Sequence, residues 1–282
     1  MKIYLISTCL TAISICSFGQ STDNNTTDKA KISCIYRLTF RPDSTSDKVV
    51  SESMQLLITD KLSEFRSINR FKRDSAQKEI VRSDNEVKIN STELGASISN
   101  MLQLPKARFS YIIYKIASKK QCVTYDNIMD VNYKYEEPYN MFKWTIYKEE
   151  SNILGYSCQK ATTSFAGRSY EAWFTKEIPF SDGPYKFSGL PGLIVKVYDS
   201  KKHYAFELTS LSQTQKNYTV SLPTDLVIPT TKSEFFSASK ISRETALDRA
   251  PQYGVTFNNP EQVRANVRER LKRQNNPIEL KY

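Results

Sequence analysis

The sequence has very little of what most enzymes and metalloproteins use at their sites. Its 282 residues include one histidine, His203, and eight glycines. It contains no G-x-S-x-G elbow, no H-E-x-x-H pair and no phosphate-binding glycine loop. Because the cysteines also lack C-x-x-C spacing, we expect no metal site and no cofactor. These absences favour a non-enzymatic protein, and we predict no catalytic residues.

The carboxylates leave one alternative open, an acid/base hydrolase. Glu171 together with Glu177 or Asp182 would supply the two carboxyl groups that such chemistry needs, but the sequence does not set their separation. Solvated surface carboxylates are the common arrangement, and His203, next to Lys202 near a strand start, is typical of a surface histidine. A hydrolase is therefore kept as an alternative function.

Long apolar runs are absent beyond the N-terminus, where residues 1–19 have the pattern of a secretory signal peptide. Residues 3–15 form an apolar core after a positive charge, and Ser17-Phe18-Gly19 fits a small-x-small cleavage site. The core is well short of the roughly 20 residues that a membrane span requires. Ile15 disfavours lipoprotein processing at Cys16. We predict export, with no transmembrane helix after signal cleavage.

The cysteines are few. Cys9 and Cys16 lie in the predicted signal peptide, which leaves Cys34, Cys122 and Cys158 in an oxidising compartment. Three cysteines cannot all pair within one chain. A disulfide between Cys122 and Cys158 would close the shorter loop and join two predicted strands, and the third thiol would then be a small buried hydrophobe. Spacing alone does not select the pair.

Positive charge is in excess, with 40 Lys and Arg against 30 Asp and Glu and a formal net charge of +10. This balance favours anionic partners such as phosphate-bearing lipids or acidic proteins, although solubility alone would also explain it. Export argues against nucleic acid as a partner.

The spacing of apolar residues predicts mainly β structure. Residues 20–30 are polar and are expected to form a disordered lead-in, followed by one β-rich domain over residues 31–282. From Ile32 to Phe40, apolar residues alternate with polar or smaller ones, as in a strand with one buried face. Further strands are predicted at residues 49–58, 62–66, 108–116, 121–125, 131–136, 142–148, 153–165, 169–175, 193–199 and 204–211.

The intervals between these strands are mostly too short to hold crossover helices, so the strands are expected to pair in antiparallel fashion. Many short strands separated by turn residues indicate a sandwich, a barrel or a strongly curled sheet. We predict a mainly β protein with an antiparallel curled sheet or incomplete β-barrel.

Helical patterns are fewer. Two weak ones cover residues 68–83 and 92–102, and a C-terminal helical region extends over residues 239–274. Its basic helix has a narrow apolar stripe made of Val263, Val267 and Leu271, which suits docking against the sheet. The alternative is adhesion to anionic lipid headgroups or an acidic outer-membrane partner, which would be weak without a large apolar face.

A turn made almost wholly of apolar residues, Gly189 to Ile194, is the most informative segment. Pro191 fixes φ for the first corner of a type II turn and Gly192 accepts the positive φ of the second, so the reversal needs no polar side chain. Such a turn is poorly suited to water, and we expect it to be buried.

The apolar turn is one of several blocks spaced along the sequence. The blocks are Trp144–Ile146, Ile153–Ala161, Gly167-Arg168, Ala172–Thr175, Ile178-Pro179, Asp182–Pro184, Gly189–Ile194 and Asn276–Leu280. In this order they resemble the GLPGLI family of bacterial envelope proteins. The resemblance implies an exported protein of Gram-negative bacteria, in the periplasm or associated with the outer membrane, whose biochemical role is unassigned. It supplies no catalytic residues.

Two functions remain open for the predicted sheet. By fold analogy with half-barrel lipoprotein carriers, its concave face would hold an apolar ligand, an acyl chain or a peptide. In the second function the protein's own side chains fill that face, and it assists an outer-membrane barrel or transporter. The first hypothesis places Tyr170, Trp173, Gly189, Leu190, Pro191 and Gly192 around the ligand.

Overall fold

The computed structural model describes residues 27–86, 91–213, 218–224 and 226–282. The predicted signal peptide and most of the predicted lead-in lie outside these residues. The short strand Asp28–Lys29 pairs with Thr219–Val220. Pairing therefore begins before Lys31, the residue at which the sequence predicted the domain to start.

The described chain is mainly β. None of its helices has the length and apolar character needed to cross a bilayer. The strands are β1 (Asp28–Lys29), β2 (Ile32–Phe40), β3 (Val50–Ile58), β4 (Ser63–Ser67), β5 (Ile112–Ile116), β6 (Gln121–Ile128), β7 (Val131–Pro138), β8 (Thr145–Ile153), β9 (Tyr156–Phe165), β10 (Arg168–Thr175), β11 (Leu193–Asp199), β12 (Tyr204–Gln213), β13 (Thr219–Val220) and β14 (Ile228–Pro229).

Twelve strands form one large sheet in the order β14-β7-β6-β5-β4-β3-β2-β12-β11-β10-β9-β8. Neighbouring strands are antiparallel, apart from the parallel pair of β14 and β7. The sheet is not closed, since β14 and β8 are its two edges. The prediction of a mainly β protein with a large, incompletely closed antiparallel sheet is confirmed.

Buried and exposed side chains alternate along β2, and this alternation distinguishes the two faces of the sheet. In β2, Cys34, Tyr36 and Leu38 are fully buried, whereas Arg37 between them is exposed. We call the face that carries Tyr36 the inner face. Its side chains form the larger apolar cluster, which draws residues from strands far apart in the sheet, including Phe65 on β4 and Phe174 on β10. The sheet therefore curls around this cluster.

A smaller apolar cluster covers the opposite face of strands β3 to β6. Leu57, Ile112, Tyr114 and Val123 belong to it, together with Val220 of β13. The two-stranded sheet of β1 and β13 thus contributes to a second layer, and this part of the large sheet is buried on both faces.

The helices lie between and after the strands. They are α1 (Ile68–Glu86), α2 (Ser91–Gln103), α3 (Lys232–Glu244), α4 (Ala246–Arg249) and α5 (Pro260–Lys272). α3 begins well before residue 239, where the sequence predicted it, because Thr231 and Glu234 form a capping box. The stripe of Val263, Val267 and Leu271 on α5 is only half-buried.

Candidate functional site

The loop of residues 176–192, which joins β10 to β11, crosses the inner face of the sheet; we call it the plug. Ile178, Phe187 and Leu190 of the plug are buried in the larger apolar cluster. The ring of Phe187 lies 4.8 Å from that of Tyr170 on β10 and 6.4 Å from that of Phe206 on β12. The predicted burial of the apolar turn is confirmed for Leu190, Leu193 and Ile194, which are at most 1 % exposed.

The turn is not type II. Gly192 donates its N–H to the Leu190 carbonyl oxygen at 2.8 Å, which makes a three-residue turn with Pro191 at its centre. The N–H of Leu193 instead donates to the Ile178 carbonyl oxygen at 3.1 Å. Gly192 has a φ of 145°, and a Cβ there would overlap the carbonyl oxygen of Thr175, so only glycine fits.

A buried lysine joins the plug to the opposite part of the sheet. Lys115 on β5, 2 % exposed, pairs with Asp182 and donates to the Gly183 carbonyl oxygen at 2.5 Å and to that of Phe187 at 3.4 Å. The three acceptors satisfy all three ammonium hydrogens. The ammonium group therefore fixes the middle of the plug against β5.

A second buried lysine belongs to the plug itself. Lys186, fully buried, pairs with Glu137 on β7 and, at 2.6 Å, with Glu279 near the C-terminus. Lys232 of α3 pairs with the same two carboxylates, and Tyr185 donates to Glu279 at 2.5 Å. The positive charges of two ammonium groups thus neutralise the negative charges of two carboxylates in a largely buried cluster.

The electrostatics of this cluster follow from its geometry. Burial disfavours the charged form of Lys186, but Tyr135, Glu279 and Glu137 outweigh it and raise the pKa of this lysine. Burial also acts to raise the pKa of Glu279, but Lys186 and Lys232 lower it overall. Both shifts favour the ionised forms of Lys186 and Glu279, and the ion pair between them positions the plug.

Residues 275–282, which we call the strap, lie across the inner face beside the plug. Arg168 at the start of β10 is 5 % exposed and holds both the strap and Asp199. Its guanidinium donates to the Asn276 side chain at 2.6 Å and to the Pro277 and Ile278 carbonyl oxygens at 2.6 and 2.9 Å. The strap is thereby bonded to the hairpin of β9 and β10.

The predicted ligand-contacting residues do not come together at one mouth. Tyr170 faces inward, where its hydroxyl donates to the Ile278 carbonyl oxygen at 3.3 Å. Trp173 lies on the other face and donates to Glu171 at 3.0 Å. The period of two along a strand separates them. In the turn, Leu190 is buried, whereas Gly189 and Pro191 are exposed.

The predicted disulfide is absent. Cys34, Cys122 and Cys158 are free, buried thiols. Cys122 on β6 lies near Lys186 and Lys115, and Cys158 on β9 near Ile153 and Glu177. Strands β6 and β9 are far apart in the sheet order, which the sequence interval did not indicate. Burial raises the pKa of Cys122 to about 12, so this thiol behaves as a small apolar side chain.

The residues weighed for a hydrolase each have a different structural partner. Asp182 pairs with buried Lys115, and Glu177 accepts the Ser157 N–H at 2.7 Å. Glu171 pairs with Lys160 on the outer face, while the His203 carbonyl oxygen accepts the Arg41 N–H. The structure does not assemble a carboxylate pair from Glu171 with Glu177 or Asp182.

The sequence reasoning missed the ionic groups of the inner face: Lys115, Glu137, Arg168, Lys186 and Glu279. One signal was available, since Lys115 shares its strand face with the apolar Ile113. A charge at an inward position of an apolar strand predicts a buried partner. The partners themselves could not be predicted from local spacing, because Lys186 and Glu279, for example, are 93 residues apart.

The described part of the chain also has two surface clefts, of which the smaller borders the cluster of Lys186 and Glu279 at Lys232. One, of about 360 Å³, includes Arg41, Lys196 and Tyr198, and the other, of about 270 Å³, includes Lys134 and Lys232. Neither includes a residue of the apolar turn.

A model of a family of unknown function, Porph_ging, matches residues 166–196. This segment contains all of β10 with Arg168, the whole plug and the start of β11, so it overlaps the site described above. No curated protein matches the chain.

The chain is similar in fold to PNGF-II, whose structures in the C2 and P21 space groups both match with a TM-score of 0.51. Sequence identity is 14 % and 13 %, and 75 % and 76 % of this chain is covered. The chain spans about a third of the length of those proteins, with 33 % and 34 % of each covered. At this identity the likeness concerns the fold alone.

Proposed function

We propose that the chain is an exported cell-envelope protein of the GLPGLI family. Two observations support this. Residues 1–19 have the composition of a cleaved signal peptide. The segment that matches the family of unknown function, residues 166–196, contains the Gly189–Ile194 sequence from which the GLPGLI name is taken.

In this proposal the protein works as a non-enzymatic interaction module that assists an outer-membrane protein. The supporting observation is the filling of the inner face by the protein's own side chains. Phe187 contacts the rings of Phe142, Tyr170, Tyr185 and Phe206 within 6.4 Å. This packing occupies the position where a carrier would hold its apolar ligand. It therefore favours a protein that assists an outer-membrane partner over one that carries an apolar ligand.

The partner in this proposal is an acidic surface, and α5 is the element that meets it. The helix and the residue that follows it have five exposed cations: Arg264, Arg268, Arg270, Lys272 and Arg273. Two of them have local partners, Arg264 with Asp248 and Lys272 with Glu269. Because the apolar stripe of α5 is half-buried against its own chain, the attraction is mainly electrostatic and is weakened by salt.

The experiment that tests this proposal compares two charge variants of the full chain. Arg264, Arg268 and Arg270 are replaced by Glu in one variant. In the matched control, Glu replaces three exposed lysines that lie outside α5: Lys61, Lys119 and Lys148. Both are crosslinked in the native envelope, and bound lipid is measured in the same preparations.

We expect a stoichiometric membrane-protein partner with wild type and with the control, and its loss from the α5 variant. Repeated recovery of one lipid or apolar peptide per chain, with no protein partner, would overturn the proposal and support the carrier. A partner captured equally by all three proteins would show that α5 is not the docking element.

A further inference from the structure

The place where the strap lies has the features of a peptide-binding groove. Its walls are Gly167 and Arg168 of the β9–β10 hairpin, Tyr185 and Lys186 of the plug, and Tyr204 of β12. All of these residues except Gly167 are buried, and they belong to three separate parts of the chain. The strap runs through the groove without being part of a strand or helix.

Side chains of the groove bind the backbone of the strap at consecutive residues. The Tyr204 hydroxyl donates to the Asn276 carbonyl oxygen at 2.7 Å. Arg168 donates to the carbonyl oxygens of Pro277 and Ile278 at 2.6 and 2.9 Å. Hydrogen bonding to the backbone of a peptide is a common mode of peptide recognition, and it does not depend on the side chains of the peptide.

Selectivity comes from three side chains of the strap. The amide of Asn276 accepts from Arg168 at 2.6 Å and donates to the Arg41 carbonyl oxygen at 2.7 Å. Ile278 is buried in the larger apolar cluster. Glu279 neutralises Lys186 and Lys232, which would otherwise share the single carboxylate of Glu137. The side chains that the groove contacts are therefore an amide, an aliphatic group and a carboxylate, in the order Asn-x-aliphatic-Glu.

The connection between the strap and the rest of the fold is weakly packed. α5, which precedes the strap, has no buried residue. The ordered position of the strap thus depends on its own contacts in the groove. A segment held this way on an exposed tether can be exchanged between copies without loss of any contact.

We propose that the groove binds this peptide in trans, from the strap of a second copy of the chain, as well as in cis. The inference goes beyond the proposed function, because the groove is a site separate from α5. Exchange gives a dimer in which each plug is completed by the partner's Glu279.

The test uses two full-chain variants with complementary defects. The Asn276→Ala/Glu279→Gln chain has an intact groove and a weakened strap. The Arg168→Lys chain has an intact strap and a groove that keeps the charge opposite Asp199 but loses the forked hydrogen bonds. The probe is a fluorescent peptide of residues 274–282, and its control carries the Glu279→Gln change.

We expect the strap variant to bind the peptide at least tenfold more tightly than wild type, whose groove is occupied, and at least tenfold more tightly than it binds the control peptide. An equimolar mixture of the two variants should form a heterodimer in sedimentation velocity, while each variant alone stays monomeric. If either variant fails to unfold cooperatively, Glu279→Gln alone and Tyr204→Phe replace them.

Absence of peptide binding by the folded strap variant, equal binding of both peptides, or absence of the heterodimer would each overturn the proposal. These results are independent of the envelope crosslinking experiment. A missing outer-membrane partner with intact peptide exchange would overturn the proposed function alone.

Discussion

Both faces of the sheet have ion pairs of the same residue types, but the pairs are buried on the inner face and exposed to water on the outer face. On the inner face, Lys115, Lys186 and Arg168 are paired with carboxylates at 5 % exposure or less. On the outer face, Arg37 and Lys196 both pair with Glu207 on neighbouring strands, with side chains 34–55 % exposed. Exposed pairs contribute little, whereas a buried charge without its partner is very costly.

This difference shows where the fold depends on specific partners. The inner pairs join elements distant in sequence, including the plug, α3 and the strap. The outer pairs join strands that are already hydrogen-bonded to each other, such as β11 and β12. Inner charges therefore fix the plug and the strap on the inner face, whereas outer charges add little to contacts that the strands already make.

The largest expected effect is the loss of Lys186. Lys186→Met leaves Glu137 and Glu279 with Lys232 as their shared cation, and we expect a loss of about 3–5 kcal/mol in the free energy of unfolding. The matched outer change, Lys196→Met, should cost about 0–1 kcal/mol. Urea denaturation of both variants measures the contrast, and equal losses would show that burial does not distinguish the two faces.

The second-largest loss of stability is expected from a change in the apolar part of the plug. Leu190→Ala removes a side chain that is 1 % exposed and is expected to cost about 2–5 kcal/mol. Pro191→Ala, one residue away and exposed, should cost less than about 1 kcal/mol. If thermal and urea unfolding show Leu190→Ala to be as mild as Pro191→Ala, the turn does not pack as described.

Acid should weaken the inner face through Glu279. Its pKa is below the usual range in the folded protein, because Lys186 and Lys232 outweigh the effect of burial. The stabilisation is therefore present above the unfolded pKa, roughly 4.3, and is lost as pH falls through the folded value. The difference in unfolding free energy between wild type and Glu279→Gln should shrink as pH is lowered from 7 to 3.

The same titration with Glu207→Gln supplies the comparison. Hydrogen bonds from Lys196 and Arg37 lower the pKa of Glu207 as well, but water screens this outer pair. A smaller pH-dependent difference than for Glu279 is expected. A larger one would mean that the outer face contributes more electrostatic stability than the inner face.

The smallest effect belongs to the outer pair of Arg37 and Glu207, whose nearest charged atoms are 3.0 Å apart. A double-mutant cycle with Arg37→Ala and Glu207→Ala should give a coupling of about 0.2–1 kcal/mol, which falls as salt is added. A coupling above 2 kcal/mol, insensitive to salt, would contradict the account of this face.

Much of the fold follows from local patterns. The alternation of Ile32 to Phe40 and the spacing of the later strands predicted where strands occur, because side chains along a strand point alternately to the two faces of the sheet. The short intervals between the strands predicted their antiparallel pairing. The buried turn was also predictable, since Leu190, Leu193 and Ile194 have no polar neighbour that would hold them in water.

The geometry of the site was not predictable in the same way. The three-residue turn at Pro191 depends on a hydrogen bond from Leu193 to Ile178, outside the local sequence. The separation of Tyr170 from Trp173 is an exception, since strand parity places them on opposite faces, although the ligand hypothesis listed both around one ligand. The inner ion pairs depend on long-range contacts, such as that between Lys115 and Asp182, which no spacing rule connects.

Hydrogen–deuterium exchange tests the central claim, that the plug closes the inner face, most directly. The amides of Leu193 and Ile194 donate to carbonyl oxygens of the plug at 3.1 and 2.9 Å. The account predicts that they exchange as slowly as the amides at the centre of β2, through global unfolding, while the amides of α5 exchange much faster. Exchange of Leu193 and Ile194 at the rate of α5 would contradict it.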